Sequence, residues 1–173
     1  DGKYEDAAQK LAKAFQLEPE NYLAAFNLGR CYYYGFQKES QRLNIATRFF
    51  QKALDLNPDF VPARYYLGCV QLDAGQLLLA ITSLRWVIAR DPQNIDAYYR
   101  LGLAYRRDNH IAQAEKAFMD VLSIDPGHYE SRLQLGHIYL IDKPSRENAI
   151  KNFNAFLELA PANHPWRTSR SCH

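Results

Sequence analysis

Two kinds of residue recur along this chain of 173 residues at nearly constant spacing. Prolines fall at positions 19, 58, 92, 126 and 161, which are 39, 34, 34 and 35 residues apart. Leu-Gly dipeptides place glycines at 29, 68, 102 and 136, spaced by 39, 34 and 34 residues. Proline and glycine have different conformational roles, yet they share one period. An internal repeat of about 34 residues therefore constrains the fold more than any other feature.

Within each repeat the pattern predicts two helices. Apolar residues recur three to four positions apart, which is the helical spacing. The glycine of each Leu-Gly pair lies inside the first helix, where it costs about 1 kcal/mol relative to alanine. That cost is tolerable where a neighbouring helix approaches closely. We expect small residues of the second helix to provide the matching surface: Ala46, Ala80, Ala114 and Ala149.

Helix ends and turns have their own signals. Asn57-Pro58, Asp91-Pro92 and Asp125-Pro126 are each expected to end a second helix, because proline disfavours a helical residue before it and lacks an N–H. Gly75 and Asn109 fall between the two helices of their repeats. Both residue types adopt left-handed backbone at little cost, so we predict tight turns there.

A longer consensus joins these marks. One block reads Tyr98-x2-Leu101-Gly102-x2-Tyr105, followed by Ala114-x3-Phe118 and Pro126, and the other blocks match most of it. The pattern resembles the tetratricopeptide repeat family, whose unit is a helix–turn–helix of 34 residues. This chain departs from the family pattern in two ways. Gln71 replaces a tyrosine, and the aromatic residue at the first consensus position is present only as Tyr98. The resemblance implies an all-α fold, a right-handed α-α superhelix (solenoid) of helical hairpins.

The predicted organisation is one solenoid domain with four full repeats and a leading half repeat. Its expected segments are a second helix of a truncated repeat (1–21), four hairpins (22–60, 61–94, 95–128 and 129–163) and a C-terminal tail (164–173). The first hairpin carries a five-residue insertion around residues 35–44, read as a tolerated surface insertion, with a contact loop as the alternative. Both ends of the stack look open. The chain is therefore expected to be a piece of a longer array, or else to pack its ends on a second copy or a partner.

Composition narrows the classes of partner. The net charge is +2, from 21 basic and 19 acidic residues, which gives no strong attraction to nucleic acid or anionic membrane. Direct RNA binding by the repeats would need a continuous basic face, which this balance does not supply. No apolar run approaches the roughly 18–20 residues that span a bilayer, so we expect no direct membrane insertion.

The cysteines and histidines do not form a chemical motif. The chain has three cysteines, Cys31, Cys69 and Cys172, and no two of them are close in the sequence. An odd number without such pairs argues against a disulfide framework and suits a cytoplasmic setting. Cys31 and Cys69 are expected to be half-buried. The sequence has no glycine-rich phosphate loop, His-Glu-x-x-His motif or Cys-x2-Cys pair. We therefore predict a protein that is not an enzyme and that carries no cofactor and no metal.

The resemblance also implies where a partner would bind, since the first helix of each hairpin lines the concave groove in this family. The candidate groove residues are Phe26, Arg30, Tyr33, Tyr65, Cys69, Leu72, Tyr99, Arg100, Leu103, Arg106, Leu133 and His137. They are largely aromatic and aliphatic, with a few arginines. Such a wall suits an extended or helical apolar segment of a partner.

The predicted function is a non-catalytic scaffold for protein–protein interaction that binds a peptide or helix in this tyrosine-lined groove. The alternative is a regulatory or targeting segment of a larger multidomain protein, possibly an enzyme. Members that hold the acidic tails of heat-shock chaperones use a clamp of lysine, arginine and asparagine. Here Asn27 and Arg100 occupy equivalent positions of their repeats, where clamp residues would be suitable, but they lie two repeats apart. An acidic chaperone tail is therefore not expected as the ligand.

Overall fold

The computed structural model describes residues 2–35, 40–161 and 164. Part of the predicted insertion (36–39) and nearly all of the predicted C-terminal tail, with Cys172, lie outside the described residues. The described residues form nine α-helices and one π-helical turn. The helices are α1 (Gly2–Leu17), α2 (Tyr22–Gly35), α3 (Ser40–Leu56), α4 (Val61–Asp73), α5 (Leu77–Arg90), α6 (Ile95–Arg107), α7 (Ile111–Ile124), α8 (Tyr129–His137) and α9 (Arg146–Leu159).

The helices end where the sequence predicts. Helices α3, α5 and α7 stop at Leu56, Arg90 and Ile124, each two residues before a proline. The turns between α4 and α5 and between α6 and α7 contain Gly75 and Asn109, with φ of 74° and 59°. Both residues have the left-handed backbone that was predicted for them, and this is why two helices can reverse direction within three residues.

Asparagine side chains cap two of the first helices. The Asn21 Oδ1 accepts a hydrogen bond from the Ala24 N–H at 3.1 Å, just before α2. The Asn94 Oδ1 does the same for the Ala97 N–H at 2.9 Å, just before α6. Each bond satisfies an N–H that has no acceptor inside the helix, and such a cap typically stabilises a helix by about 1 kcal/mol.

The chain divides into two compact units, residues 1–100 and 101–173. The core of the first unit is rich in aromatic rings. The fully buried Phe50 of α3 lies 5.9 Å from the Phe26 ring of α2 and 5.5 Å from the Tyr66 ring of α4, measured between ring centroids. Helix α1 joins this unit by packing Ala8 against Leu28 and Cys31 of α2.

The repeated glycines are sites of close approach, as expected, and the atoms nearest to them belong to a residue larger than alanine. A Cβ on Gly29 would lie 2.6 Å from the Phe50 ring, and one on Gly68 would lie 2.9 Å from Leu84. The nearest atoms thus belong to a large residue one turn after the alanine and not to Ala46 or to its counterpart in the next repeat. Each glycine therefore makes room for a bulky side chain of the second helix.

Gln71, which replaces the family tyrosine, has a polar partner inside the first unit. The Ser83 hydroxyl of α5 donates a hydrogen bond to the Gln71 Oε1 at 2.8 Å, and both side chains are buried. A buried amide oxygen without a donor would be costly. The serine therefore explains how this repeat tolerates a glutamine in its core.

In the second unit, the same glycine packing recurs. Phe118 of α7 lies against Gly102, and Phe153 of α9 lies against Gly136. Helix α8 continues into a π-helical turn, Ile138–Asp142, before the chain reaches α9. A π-turn accommodates one extra residue without breaking the helix. It lies where the last predicted hairpin is one residue longer than 34.

Candidate partner-binding surface

The predicted groove residues of the first unit fall into two groups. Four of them are buried in the fold: Phe26 is 8% exposed, Tyr33 5%, Cys69 2% and Leu72 1%. The others keep accessible surface, since Arg30 is exposed and Tyr65, Tyr99 and Arg100 are half-buried. The buried group contributes to packing and offers little surface to a ligand. The surface available to a partner is therefore smaller than the full set of predicted groove residues.

A polar network links three first helices behind that surface. The Tyr33 hydroxyl of α2 donates to the Asp73 Oδ2 of α4 at 2.6 Å. The Arg100 Nη1 of α6 lies 3.9 Å from the Asp73 Oδ1. Asp73 thus bridges a buried tyrosine and a half-buried guanidinium. The sequence reasoning missed it, although its position one turn after Cys69 places it on the same helical face.

Arg100 is the central cation of this network. Burial acts to lower the pKa of Arg100, but Cys69, Tyr33 and Tyr65, which become anions at high pH, and the Asp73 carboxylate outweigh it and raise the pKa. About a third of the side chain remains exposed. The guanidinium is therefore a charged group that α2 and α4 hold in place, with one side toward solvent.

Tyr65 sits beside this cation. Burial is the main cause that raises the pKa of Tyr65, and its hydrogen bond with Cys69 adds to the effect. The Tyr65 ring also packs edge-on against Tyr66, with centroids 5.4 Å apart. A neutral, ordered tyrosine of this kind presents apolar area with little entropy left to lose, which is typical of residues that anchor a protein ligand.

Arg30 and Tyr34 of α2 extend the aromatic surface toward Tyr66. The Arg30 guanidinium lies 5.7 Å from the Phe26 ring centroid and 5.6 Å from that of Tyr66. The Tyr34 and Tyr66 hydroxyls form a hydrogen bond of 2.9 Å at the surface. Burial, with help from this bond, raises the pKa of Tyr34 to about 12. Tyr34 and Tyr66 were not among the predicted residues, because each lies next to a predicted position in the chain.

The predicted residues of the second unit are Leu103, Arg106, Leu133 and His137, and all four are half-buried. The Arg106 Nη1 donates to the Gln134 Oε1 at 2.8 Å, and its Nε lies 3.7 Å from the Asp142 Oδ2. His137 packs edge-on against Phe153 at 5.5 Å, and burial followed by the charge of Arg106 lowers its pKa.

Other kinds of site were also considered from the residue types they require: metal ligands, membrane-spanning helices and reactive cysteines. Among the residues that the structure describes, no group of three or more His, Cys, Asp or Glu side chains is arranged to hold a metal ion. In the same part of the chain, no helix is both long and apolar enough to cross a membrane. Cys31 and Cys69 are both free and buried, more deeply than the half-buried state that was expected.

Comparison with known proteins places these features in a family. Two family models match this chain, and both are described as Tetratricopeptide repeat. One matches residues 1–34 and 65–129, and the other matches residues 129–163. Among solved structures, MamA from Desulfovibrio magneticus RS-1 has a TM-score of 0.84 and 26% sequence identity, with 99% of this chain and 89% of that chain covered.

Two curated relatives are much longer proteins. The UDP-N-acetylglucosamine–peptide N-acetylglucosaminyltransferase of Giardia intestinalis is 28% identical over 167 residues, which are 92% of this chain and 11% of the relative. The human Protein O-mannosyl-transferase TMTC3 is 23% identical over 173 residues, which are 91% of this chain and 18% of the relative. The chain thus spans less than a fifth of either protein.

The family models cover more than half of the chain, and the glycine packing, the proline-terminated second helices and the left-handed turns repeat in register. The expected fold class, an all-α solenoid of helical hairpins, is therefore confirmed, and the chain belongs to the tetratricopeptide repeat family.

Proposed function

We propose that this protein is a non-catalytic interaction module that binds a peptide or helix of a partner protein. The observation that carries the proposal is the tyrosine face, defined as Tyr65, Tyr66, Tyr99 and Arg100 on α4 and the first part of α6. All four side chains are half-buried. Tyrosine and arginine combine large contact area with a directed polar group, and they are enriched among the residues that dominate binding energy.

The chemistry of the tyrosine face favours a largely apolar ligand with an occasional acceptor. Tyr65 is neutral at physiological pH, as tyrosines ordinarily are, and burial raises its pKa further, so its hydroxyl is a polar but uncharged group. Arg100 is the cation of the face, and Asp73 lies 3.9 Å from it. A strongly acidic ligand would meet this carboxylate, and we therefore favour an apolar segment over an acidic tail.

Selection of peptides tests this function without knowledge of the natural partner. A random peptide library would be selected on the wild-type chain and counter-selected on a Tyr65→Ala, Tyr99→Ala variant. We expect peptides rich in apolar residues that bind the wild type and are lost on the variant. The matched control is Leu78→Ala, Leu79→Ala on α5, where both leucines are exposed. Peptides that bind all three proteins equally would count against the tyrosine face.

A second candidate function is a regulatory or targeting segment within a larger multidomain protein. The two transferase relatives favour this candidate, because the region similar to this chain makes up only 11% and 18% of their lengths. Determining the gene sequence on both sides of the region that encodes these residues would test it. An adjoining catalytic domain would support this candidate, whereas an open reading frame that encodes only helical repeats would contradict it.

A further inference from the structure

One ion pair beside the tyrosine face is not closed. The Asp73 carboxylate, at the end of α4, accepts a hydrogen bond from the Tyr33 hydroxyl through its Oδ2 at 2.6 Å. Its Oδ1 lies 3.9 Å from the Arg100 Nη1 of α6, which is too far for a hydrogen bond. About a third of each side chain is exposed, 35% for Asp73 and 33% for Arg100. We call the space between these two atoms the Asp73/Arg100 gap.

Contacts on both sides hold the gap open. Tyr33 is only 5% exposed, so its hydroxyl fixes the carboxylate at the end of α4. Arg100 lies within electrostatic reach of Cys69 and Tyr65, which are also on α4. For Asp73 to close onto Arg100, the carboxylate would have to move away from the Tyr33 hydroxyl. A donor and an acceptor are therefore in place before any ligand arrives, which lowers the cost of polar recognition.

The charges around the gap disfavour ions of either sign. A carboxylate that bonds to Arg100 would lie beside the Asp73 carboxylate, and Asp96 adds negative charge near Tyr65. An ammonium group that bonds to Asp73 would lie beside the Arg100 guanidinium. It would also lose hydration that surroundings of mixed charge do not replace. A neutral polar group fits the gap better than an ion.

A primary amide has the matching donor and acceptor. Its nitrogen can donate to the Asp73 Oδ1 while the oxygen on the same carbon accepts from the Arg100 Nη1. Each bond involves a charged group of the protein, which makes it stronger than a bond between neutral groups. A hydroxyl would have to make both bonds at one oxygen. A trans peptide group points its N–H and C=O in opposite directions, so one peptide unit does not bridge the gap.

We propose that the Asp73/Arg100 gap is a specificity site that binds an asparagine or glutamine side chain of the partner segment. This inference rests on the proposed function, because the amide enters the gap while apolar residues of the same segment pack on Tyr65 and Tyr99. Bonding at both atoms of the amide also fixes the register of the segment on the tyrosine face.

The test reads the sequences that a random peptide library yields on several forms of the chain. Peptides that bind the wild type and are lost on the Tyr65→Ala, Tyr99→Ala variant are the ligands of the tyrosine face. We expect asparagine or glutamine at one fixed position, enriched at least about threefold over the starting library. Asp73→Asn leaves Arg100 uncompensated and should shift that position to aspartate or glutamate. Arg100→Gln leaves Asp73 uncompensated and should shift it to lysine or arginine.

The matched controls are Asp59→Asn and Arg90→Gln, which make the same changes in an ion pair of the same unit, 3.3 Å apart. Neither should alter the preference. Circular dichroism checks the helicity of every variant. Fluorescence anisotropy then measures the most enriched peptide after its amide residue is replaced by aspartate, serine or alanine in turn. On the wild type, we expect aspartate to weaken binding at least about tenfold and serine or alanine at least about threefold. On Asp73→Asn, the aspartate peptide should bind at least as tightly as the amide peptide.

Four results would overturn the proposal. Peptides that are lost on the tyrosine variant but show no amide preference would overturn the amide site and leave the proposed function standing. Peptides that bind the tyrosine variant equally, or a library that yields none, would overturn both. Full affinity after replacement by alanine or serine would show that the peptide backbone or a hydroxyl occupies the gap. Equal shifts from Asp59→Asn and Asp73→Asn would show that only net charge matters.

Discussion

The Tyr33 hydroxyl donates a hydrogen bond of 2.6 Å to the Asp73 carboxylate, and these residues are 40 positions apart in the chain. The bond joins the end of α2 to the end of α4, and Arg100 lies on the other oxygen of the same carboxylate. One aspartate therefore connects three successive first helices. The tyrosine face rests on this connection, because Tyr65 and Arg100 lie directly beside it.

Removal of that hydroxyl is predicted to destabilise the fold. Tyr33→Phe keeps the buried ring but leaves Asp73 without a charge-assisted hydrogen bond, and we expect a loss of about 1–3 kcal/mol. Urea denaturation gives the free energy of unfolding. Tyr4→Phe is the control, because the Tyr4 side chain is 43% exposed, and it should change stability by less than about 0.5 kcal/mol. Equal stability of the two variants would show that the bridge contributes nothing.

The contact between Gly29 and the Phe50 ring is predicted to leave no room for a side chain at position 29. Gly29→Ala would gain about 1 kcal/mol in helix propensity, but the new Cβ would lie 2.6 Å from the fully buried Phe50 ring. We expect a net loss of about 1–3 kcal/mol from overpacking. The double variant Gly29→Ala, Phe50→Leu should recover part of it, because leucine is smaller than phenylalanine and can shift more easily away from the new Cβ. A Gly29→Ala protein as stable as wild type in thermal unfolding would refute the close approach.

The buried pair of Gln71 and Ser83 is predicted to be coupled. Ser83→Ala leaves the Gln71 Oε1 buried without its donor, which should cost about 1–3 kcal/mol. Gln71→Leu combined with Ser83→Ala removes both polar groups and should be less harmful than Ser83→Ala alone. A double-mutant cycle in urea measures this coupling, and additive effects of the two substitutions would argue against it.

The buried thiols are predicted to be inert in the folded protein. Burial is the main cause that raises the pKa of Cys69 to about 11, and burial also raises that of Cys31. The thiolate is the reactive form, so both residues should stay unlabelled by a disulfide reagent at pH 8 in the native state. In a Cys172→Ser background, unfolding in urea should expose both thiols. Rapid labelling of either one without urea would contradict their burial.

The same thiol gives a pH dependence with a defined sign. Because the folded state raises the pKa of Cys69 to about 11, the neutral thiol is favoured on folding. Its contribution to stability is therefore complete below the unfolded pKa of about 8.5 and is lost as the pH rises toward the folded value. Stability measured between these two pH values should fall less in a Cys69→Ala variant than in the wild type.

Sequence periodicity predicted the hairpins well because it depends on local rules. Proline ends a helix and glycine or asparagine permits a left-handed turn whatever surrounds them, and Gly75 and Asn109 follow these rules. Burial within the wall was harder to predict. Cys69 and Leu72 share the helical face of Tyr65, yet both are buried whereas Tyr65 is half-buried, because burial depends on neighbouring helices that the repeat period does not describe.

The missed residues have a similar explanation. Asp73 becomes important only because Tyr33 and Arg100, distant in the chain, converge on it. An alanine was expected beside each repeat glycine because small residues suggest close packing, whereas the nearest atoms belong to a phenylalanine or leucine one turn later. The only sequence signal for the π-helical turn at Ile138–Asp142 is that the last predicted hairpin is one residue longer than the 34-residue repeat.

The central claim is that the tyrosine face binds a partner segment, and the most direct test is the affinity of a selected peptide. Isothermal titration would compare the wild type with the Tyr65→Ala, Tyr99→Ala variant and with the Leu78→Ala, Leu79→Ala control. We predict at least about tenfold weaker binding to the tyrosine variant, the effect of losing about 1.4 kcal/mol, with unchanged binding to the control. Unchanged affinity in a tyrosine variant that retains its helicity would contradict the claim.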